Sequence, residues 1–212
     1  MKFQLLIPVI ILLFSFSFEG NTQDSLIDIS TLSSEFTYDI RYATPHNFTG
    51  EVLYDCAKCL LRPKVAQAFL EANQFFCERG YRIKIFDCYR PLDIQIKMWD
   101  KVPDATYVAN PYEGGSIHNK GAAVDITLET LEGRHVEMGT HYDYFGLEAH
   151  IDNYTFSNFS ALETEKILEN RNLLFEGMLK FGFQPIRSEW WHFSFRKNKS
   201  YSLLDQALPC ND

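Results

Sequence analysis

Apolar residues recur at helical spacing in three stretches of the chain, and each stretch has a recognisable start or stop. The first covers 62–79, where apolar side chains fall three and four positions apart before Gly80. The second, 91–101, opens with a proline, and the third, 160–181, opens with a Ser-x-x-Glu pattern and stops before Gly182. Proline in a first turn, a capping-box pattern and a terminal glycine are typical of helix ends. The pattern therefore predicts three helices, each with an apolar face.

Strand-like stretches lie between and after these helices. Residues 81–86 alternate between apolar and polar side chains, and 122–128 are mostly apolar. Two further short stretches follow near the end of the chain, at 183–186 and 191–195. The pattern predicts an α+β fold of a single domain, with a central, mostly antiparallel sheet flanked by helices. The loop 102–115, which contains prolines and glycines, is expected to wall a binding site.

Composition limits the classes of protein that fit this chain. With 212 residues, of which 46% are hydrophobic, the chain can bury one substantial core, and nothing in it marks a second domain. The formal net charge is −8, and the sequence contains no cluster of basic residues. This composition argues against nucleic acid and anionic membranes as partners, because neutralising phosphates requires lysine and arginine. Small uncharged or zwitterionic ligands fit better.

The N-terminus has the layout of an export signal. Met1 and Lys2 provide a short positive start, and residues 5–14 form an apolar run that is too short to span a membrane comfortably. We expect a signal peptide over 1–20 and a mature domain over 21–212, located in the periplasm or secreted, with no stable membrane anchor after cleavage. The alternative is an uncleaved anchor.

Export to an oxidising compartment makes the cysteines relevant. The chain has five, Cys56, Cys59, Cys77, Cys88 and Cys210, which allows at most two disulfides and leaves one thiol over. The sequence does not select the pairing. The Cys56-x-x-Cys59 spacing has no second such pair and no helix start behind it, which favours structural disulfides or buried thiols over a redox or metal-binding motif.

Two distant segments carry residues that suit a hydrolytic metal centre. The block 116–125 contains His118 and Asp125, and Glu189 and His192 follow far downstream. A catalytic zinc ion keeps three protein ligands and leaves its fourth position to water. His118, Asp125 and His192 supply these three ligands. Glu189 is then free to act as the general base.

Simpler interpretations compete with this one. A lone histidine or aspartate near a strand is more often hydrogen-bonded than metal-bound, so the joint pattern carries the prediction. Glu189 and His192 would face opposite sides of a regular strand, which predicts a bend or bulge at 188–190. Ser116 lacks a histidine–acid relay of recognisable order, which favours substrate binding over a nucleophilic role. The remaining histidines are interpreted as structural or exposed: His46, His135, His141 and His150.

Five blocks of residues in a fixed order make the chain similar to a known family. They are 39–44 with 47–50, Asp87-Cys88-Tyr89-Arg90-Pro91, the block 116–125, Met138-Gly139-Thr140 with Asp143, and Glu189-Trp190-Trp191-His192. With these blocks the chain resembles the D-alanyl-D-alanine dipeptidases of the vancomycin-resistance type, zinc peptidases related to the bacterial D,D-carboxypeptidases. The resemblance covers nearly the whole chain beyond residue 38.

Carried over residue by residue, the resemblance implies one zinc ion per chain, bound by His118, Asp125 and His192. It implies that Glu189 is the catalytic acid/base. It also implies that Arg90 stabilises the developing oxyanion, a role that suits a fixed guanidinium beside a metal ion.

The other implied roles concern the substrate. Ser116 and Asp143 would contact a small D,D-dipeptide, with Asp143 either pairing with its free ammonium group or acting only as a helix or loop cap. Tyr42 would line the pocket. For Arg90 the alternative is a surface ion pair with Asp87.

The sequence thus predicts that the catalytic domain over 21–212 is a zinc dipeptidase that hydrolyses D-alanyl-D-alanine to two D-alanines. Its leader and cysteines depart from the cytoplasmic resistance enzymes of the family, since an exported enzyme cannot reach the cytoplasmic dipeptide pool. Turnover or salvage of cell-wall peptides is therefore the expected role. Two alternatives stay open: a D,D-carboxypeptidase acting on longer stem peptides, and a non-catalytic zinc-bearing binding module, against which Glu189 and Arg90 count.

Overall fold

Seven strands and three helices form the part of the chain that the structure, a computed structural model, describes: residues 25–196 and 201–210. The strands are β1 (Ile27–Asp28), β2 (Thr37–Tyr38), β3 (Leu60–Leu61), β4 (Tyr81–Asp87), β5 (Ala123–Thr130), β6 (Phe183–Ile186) and β7 (Glu189–Phe195). The helices are α1 (Pro63–Cys77), α2 (Leu92–Lys101) and α3 (Ala161–Lys180). The predicted leader over 1–20 lies outside the described residues. Among the helices that are described, none has the length and apolar character needed to cross a membrane.

The central sheet has the strand order β2-β4-β5-β7-β6, and β1 and β3 form a separate antiparallel pair. Within the central sheet β2 and β4 run parallel, while the other neighbouring pairs are antiparallel. The middle strand, β5, is buried along its length up to Thr130. The predicted α+β fold with a mostly antiparallel sheet is confirmed.

The predicted helices are present, with ends that differ by one or two residues. α1 contacts β4, α3 contacts β6, and the two helices contact each other. Phe69 of α1 meets Phe183 of β6 edge-to-face, with ring centroids 6.0 Å apart. α1 is followed by a turn that reaches Gly80, whose φ of +84° only glycine adopts easily. Ser160 and Glu163 form the predicted capping box of α3.

Two disulfides cross-link the described part of the chain: Cys56–Cys210 joins two outlying segments, and Cys59–Cys88 joins the segment before β3 to the end of β4. Cys77 remains a free thiol, so the predicted maximum of two disulfides is reached. The two cysteines of the Cys-x-x-Cys spacing take different partners, which makes both of them structural. Cys88 lies one residue past the end of β4, so its disulfide is fixed beside a central strand.

The β6–β7 hairpin contains the predicted irregularity, slightly later than expected. Pro185 pairs with Phe193, whereas the next residue, Ile186, pairs with Glu189. Residues 190–192 of β7 therefore have no partner in β6, and this bulge brings the carboxylate and the imidazole of the strand to within 4.0 Å of each other.

Gly177 of α3 faces α1 where there is no room for a side chain: a Cβ atom there would lie 2.3 Å from Cζ of Phe76. Alanine is the better helix former by about 0.5–1 kcal/mol, yet we predict that Gly177→Ala lowers the free energy of unfolding by about 1–3 kcal/mol, because overpacking outweighs propensity. Urea denaturation measures this change. Asn172→Ala, at an exposed position of the same helix, is the control and should be neutral or slightly stabilising. A Gly177→Ala protein as stable as the wild type would contradict the described packing.

Candidate active site

One row of polar residues crosses three neighbouring strands in the middle of the sheet. Asp87 at the end of β4 pairs with Asp125 of β5, and Asp125 pairs with His192 of β7. Paired residues on antiparallel strands point to the same face, about 4.5–5.5 Å apart. The register alone therefore places two carboxylates and an imidazole side by side, and all three residues are buried.

His118 reaches this row from a tight turn that precedes β5. A single 3-10 turn over His118–Lys120 ends at Gly121, whose φ of +63° redirects the chain into the strand. A Cβ atom on Gly121 would come within 2.5 Å of a methyl carbon of Leu26. Glycine is thus required by both the backbone conformation and the available space.

The side chains predicted as metal ligands converge on one point. His118 Nε2 lies 3.2 Å from Asp125 Oδ1 and 3.1 Å from His192 Nδ1. The third side of this triangle, from His192 Nδ1 to Asp125 Oδ1, measures 3.0 Å. Atoms bound at about 2.0–2.1 Å from a tetrahedral ion lie roughly 3.3 Å apart, so the triangle is close to the size that one ion requires. The described residues thus form a possible metal-binding group.

Hydrogen bonds decide which atoms of His118 and Asp125 face the centre of the triangle. His118 Nδ1 lies 2.6 Å from the backbone oxygen of Cys88. Because a carbonyl oxygen only accepts, Nδ1 carries the proton and the lone pair of Nε2 points to the centre. Tyr142 Oη donates to Asp125 Oδ2 at 3.0 Å, which leaves Oδ1 for the centre.

His192 completes the donor set through Nδ1, while its Nε2 lies 2.9 Å from Ser194 Oγ. Two imidazole nitrogens and one carboxylate oxygen then face one another. The lone pairs of these three atoms repel one another, and a proton on one imidazole removes only part of that repulsion. A divalent cation at the centre accepts all three lone pairs at once. The donor set therefore fits a bound metal ion.

Glu189 lies beside the triangle without belonging to it. Its Oε2 is 4.0 Å from His192 Nδ1, too far for a hydrogen bond, and the residue lines the same cavity as the three ligands. Burial, together with the carboxylates of Asp125 and Asp143, raises the pKa of Glu189 well above its ordinary value. A carboxyl group with a raised pKa exchanges protons closer to neutral pH, as an acid/base residue must.

Arg90 is buried at the edge of this cavity. Its Nη2 and Nε donate to Asp87 Oδ2 at 2.7 and 3.0 Å, and Nη1 donates to Gln95 Oε1 at 2.8 Å. Nη2 also lies 3.8 Å from Asp125 Oδ2, and the guanidinium carbon is 5.1 Å from the centroid of the Tyr42 ring. The ion pair with Asp87 that was the alternative interpretation therefore exists, but it is not a surface pair. It holds the guanidinium beside the metal-binding group.

Ser116, Tyr42 and Asp143, the residues predicted to contact substrate, line the same cavity, whose volume is about 210 Å³. The Asp143 carboxylate accepts from Tyr42 Oη at 3.2 Å and from the backbone N–H of Phe48 at 3.3 Å. Burial and the nearby Asp125 raise the pKa of Asp143 to about 7. Asp143 also has a φ of 60°, an unusual conformation that is often found at functional sites.

Aromatic side chains from three loops form one wall of this cavity. Tyr107, from the loop 102–115, stacks on Phe145 with ring centroids 4.5 Å apart, and Phe145 lies 5.2 Å from Phe48. Residues 105–109 line the cavity. The prediction that the loop 102–115 walls the site is confirmed.

The residues that hold the site in place were not predicted. Tyr142 and Gln95 belong to no motif with a recognisable spacing, and although Asp87 and Cys88 stand in the block that contains Arg90, no supporting role was predicted for them. The four other histidines do not line the cavity: His46, His135 and His141 are exposed, and His150 is buried. This agrees with their interpretation as structural or exposed residues.

Comparison with known proteins shows which family this chain belongs to. Residues 22–211 match the family model described as D-ala-D-ala dipeptidase. The D-alanyl-D-alanine dipeptidase of Escherichia coli K12 is 31% identical over 185 residues, which span 87% of this chain and 92% of that protein. The D-alanyl-D-alanine dipeptidase of Enterococcus faecalis V583 is 28% identical, spanning 81% of this chain and 88% of that protein. A solved structure of the vancomycin-resistance D,D-pentapeptidase VanY in complex with Zn(II) has a TM-score of 0.41 at 17% identity, covering 67% of this chain and 76% of that one.

Asp87 compensates the buried charge of Arg90, and its loss leaves that charge without its closest partner. We predict that Asp87→Asn lowers the free energy of unfolding by about 3–5 kcal/mol, as measured by chemical denaturation. Asp93→Asn is the control, because Asp93 forms an exposed ion pair with Lys97 at 3.6 Å, and it should change stability little. Equal effects of the two substitutions would contradict the assignment of Asp87.

Proposed function

The chain belongs to the D-Ala-D-Ala dipeptidase family and is a peptidase, and we propose that it is a zinc enzyme that hydrolyses free D-alanyl-D-alanine into two D-alanines. One observation carries the proposal: the triangle formed by His118 Nε2, Asp125 Oδ1 and His192 Nδ1, with sides of 3.0–3.2 Å. Glu189 lies beside it, buried and not bonded to it. The curated relatives are named for the reaction that these residues suit.

Zinc fits the three donors better than magnesium or calcium does, because those hard cations prefer sets made up of oxygen ligands. A set of two imidazoles and one carboxylate also binds iron in oxygenases, but membership of a peptidase family favours zinc. His118, Asp125 and His192 would hold the ion. When bound, zinc supplies Lewis acidity toward the scissile carbonyl and the attacking water.

The proton transfers of the reaction fall to Glu189. Its carboxylate removes a proton from the attacking water and then returns that proton to the amino group that leaves. The raised pKa of Glu189 supports the role of base, since a carboxylate whose pKa is higher accepts a proton more readily.

Arg90 would stabilise the negative charge that develops on the carbonyl oxygen. Its guanidinium is already held by Asp87 and Gln95, so it does not have to reorganise when that charge appears. A charged donor fixed in a buried site also acts more strongly than one in water.

Substrate recognition follows from the cavity walls. The Asp143 carboxylate would pair with the free ammonium group of the dipeptide, and this positive charge would favour the ionised form of Asp143. Ser116 and Tyr42 would line the remaining surface. The small cavity, about 210 Å³ in volume and bounded on one side by Tyr107, Phe145 and Phe48, favours a dipeptide substrate over the longer stem peptide of a D,D-carboxypeptidase.

We also propose that the enzyme is exported and acts in turnover or salvage of cell-wall peptides. The N-terminal residues 1–20 supply the support from sequence, because they have the layout of a signal peptide. The disulfides Cys56–Cys210 and Cys59–Cys88 are the second support, since disulfides persist in the periplasm and outside the cell but rarely in the cytosol.

Metal ligation and proton transfer can be separated by substitution. His118→Ala and His192→Ala should lose both zinc and activity, whereas Glu189→Gln should retain about one zinc per chain and lose a factor of about 10² to 10⁴ in kcat. Metal analysis and turnover of D-Ala-D-Ala measure both properties, with His135→Ala as the control at an exposed histidine. Full zinc content in both ligand variants, or near-wild-type turnover in zinc-loaded Glu189→Gln, would refute these roles.

Substrate size separates the dipeptidase from the carboxypeptidase. Free D-Ala-D-Ala should be cleaved, while N-acetyl-D-Ala-D-Ala and a muramyl pentapeptide should be poor substrates, because Asp143 would face an uncharged and bulkier group. Asp143→Asn should reduce the preference for the free dipeptide over its N-acetyl form. Rapid release of the terminal D-alanine from the pentapeptide, with the dipeptide left intact, would assign a carboxypeptidase instead.

A further inference from the structure

Asn119 connects the two parts of the chain that supply the charged groups of the site. Its side chain is fully buried. Oδ1 accepts a hydrogen bond from the backbone N–H of Ser116 at 2.7 Å, and Nδ2 donates to the backbone oxygen of Arg90 at 2.8 Å. One amide group therefore bonds to the turn that carries His118 and to the segment that follows β4.

Three hydrogen bonds join these two segments. Besides the Asn119 bridge, the backbone N–H of Arg90 donates to the oxygen of His118 at 3.2 Å, and His118 Nδ1 donates to the oxygen of Cys88 at 2.6 Å. The backbone of Arg90 is thus held on both its N–H and its C=O by the turn that supplies a metal ligand. The Arg90–His118 bond is made by backbone atoms, and the bond to Cys88 is made by a proposed ligand. Only the Asn119 contact can therefore be removed by substituting a side chain outside the proposed catalytic set.

The C-terminal segment covers Asn119 from the other side. The backbone N–H of Leu204 donates to the backbone oxygen of Asn119 at 2.8 Å, and Tyr89 Oη donates to the oxygen of Gln206 at 2.8 Å. The disulfide from Cys56 to Cys210 fixes the end of this segment. Water therefore cannot readily replace the amide, and its removal leaves a buried N–H and a buried C=O without a partner.

We propose that Asn119 is a positioning residue that sets the distance of the Arg90 guanidinium from the metal-binding group. The proposal rests on the role assigned to Arg90 under the proposed function. Loss of the amide removes one of the two hydrogen bonds that hold the Arg90 backbone to the His118 turn, while the hydrogen bonds that orient the His118 ring and the Asp125 carboxylate remain. A shift of about 1 Å in a catalytic group can cost up to about 10²-fold in rate, so the effect should appear in kcat.

The chain offers a matched control in Asn73. Its side chain is also buried, and its Oδ1 accepts from the backbone N–H of Ile83 at 2.8 Å. This bond joins α1 to the start of β4, whereas the bond from Asn119 reaches Arg90, which follows the end of that strand. Both residues are buried asparagines that bond to the backbone of distant residues, and they differ in distance from the site.

The experiment compares Asn119→Ala with Asn73→Ala in the full zinc-loaded chain. Both should lower the midpoint of thermal unfolding. Asn119→Ala should also lower kcat for D-Ala-D-Ala by about 10- to 100-fold, with KM changed less than about threefold and with zinc affinity, measured by chelator competition, unchanged. Asn73→Ala should keep the wild-type kcat. Equal kcat values for Asn119→Ala and the wild type, or equal losses in both variants, would overturn the proposal.

A double-mutant cycle with Arg90→Ala tests whether Asn119 acts through Arg90. In the Arg90→Ala background, Asn119→Ala should change kcat by less than about threefold, and a full-sized loss there would overturn the proposal. If Asn119→Ala does not fold, Asn119→Leu replaces it, since leucine has a similar branched shape and neither a donor nor an acceptor. A kcat equal to that of the wild type in this variant would also overturn the proposal. An Arg90→Ala enzyme with wild-type kcat would instead refute the role assigned to Arg90 itself.

Discussion

The register of three antiparallel strands is the constraint on which the rest of the site depends. It sets Asp125 opposite both Asp87 and His192, on one face of the sheet. A slip of one residue would turn Asp125 to the other face, where the fully buried Val124 and Ile126 lie in the core. The free energy gained by burying those apolar side chains therefore also holds the ligand in place. Core and site are stabilised by the same register.

Burial of the Asp87–Arg90 ion pair is possible because both of its members have further defined partners. Asp87 accepts from Arg90, from Tyr54 Oη at 2.7 Å and from the backbone N–H of Cys88 at 2.9 Å. Cys88 is itself fixed by its disulfide to Cys59, and its carbonyl sets the proton position on His118. The chemistry is thus built on strands and a braced turn, whereas the loops supply the aromatic walls. This division allows loop changes to alter substrate choice without disturbing the reactive groups.

Much of the fold, and which residues lie together at the candidate site, could be predicted because the signals are local. Periodicity and end signals located the helices, and the blocks around His118 and Glu189 pointed to the proposed ligands and the proposed base. Disulfide pairing could not be predicted, since Cys56 and Cys210 meet across 154 residues of sequence. The β7 bulge lies later than expected because its position depends on pairing with β6, which a single strand does not reveal.

The supporting contacts escaped prediction for the same reason. Tyr142 and Asn119 act on residues that are close in space but belong to other elements. The Asp87–Arg90 pair was visible as a three-residue spacing, yet its burial is set by Tyr42 and Gln95, which lie elsewhere in the chain. The residues proposed to react stand in short sequence motifs, whereas the contacts of the residues that position them depend on the fold.

The central claim is that one zinc ion is bound by His118, Asp125 and His192 and by no cysteine. X-ray absorption at the zinc edge of the purified, metal-loaded enzyme tests this claim most directly. We expect a first shell of nitrogen and oxygen atoms at about 2.0–2.1 Å, with outer-shell scattering from two imidazoles. A sulfur atom at about 2.3 Å, or a first shell without imidazole scattering, would contradict the account.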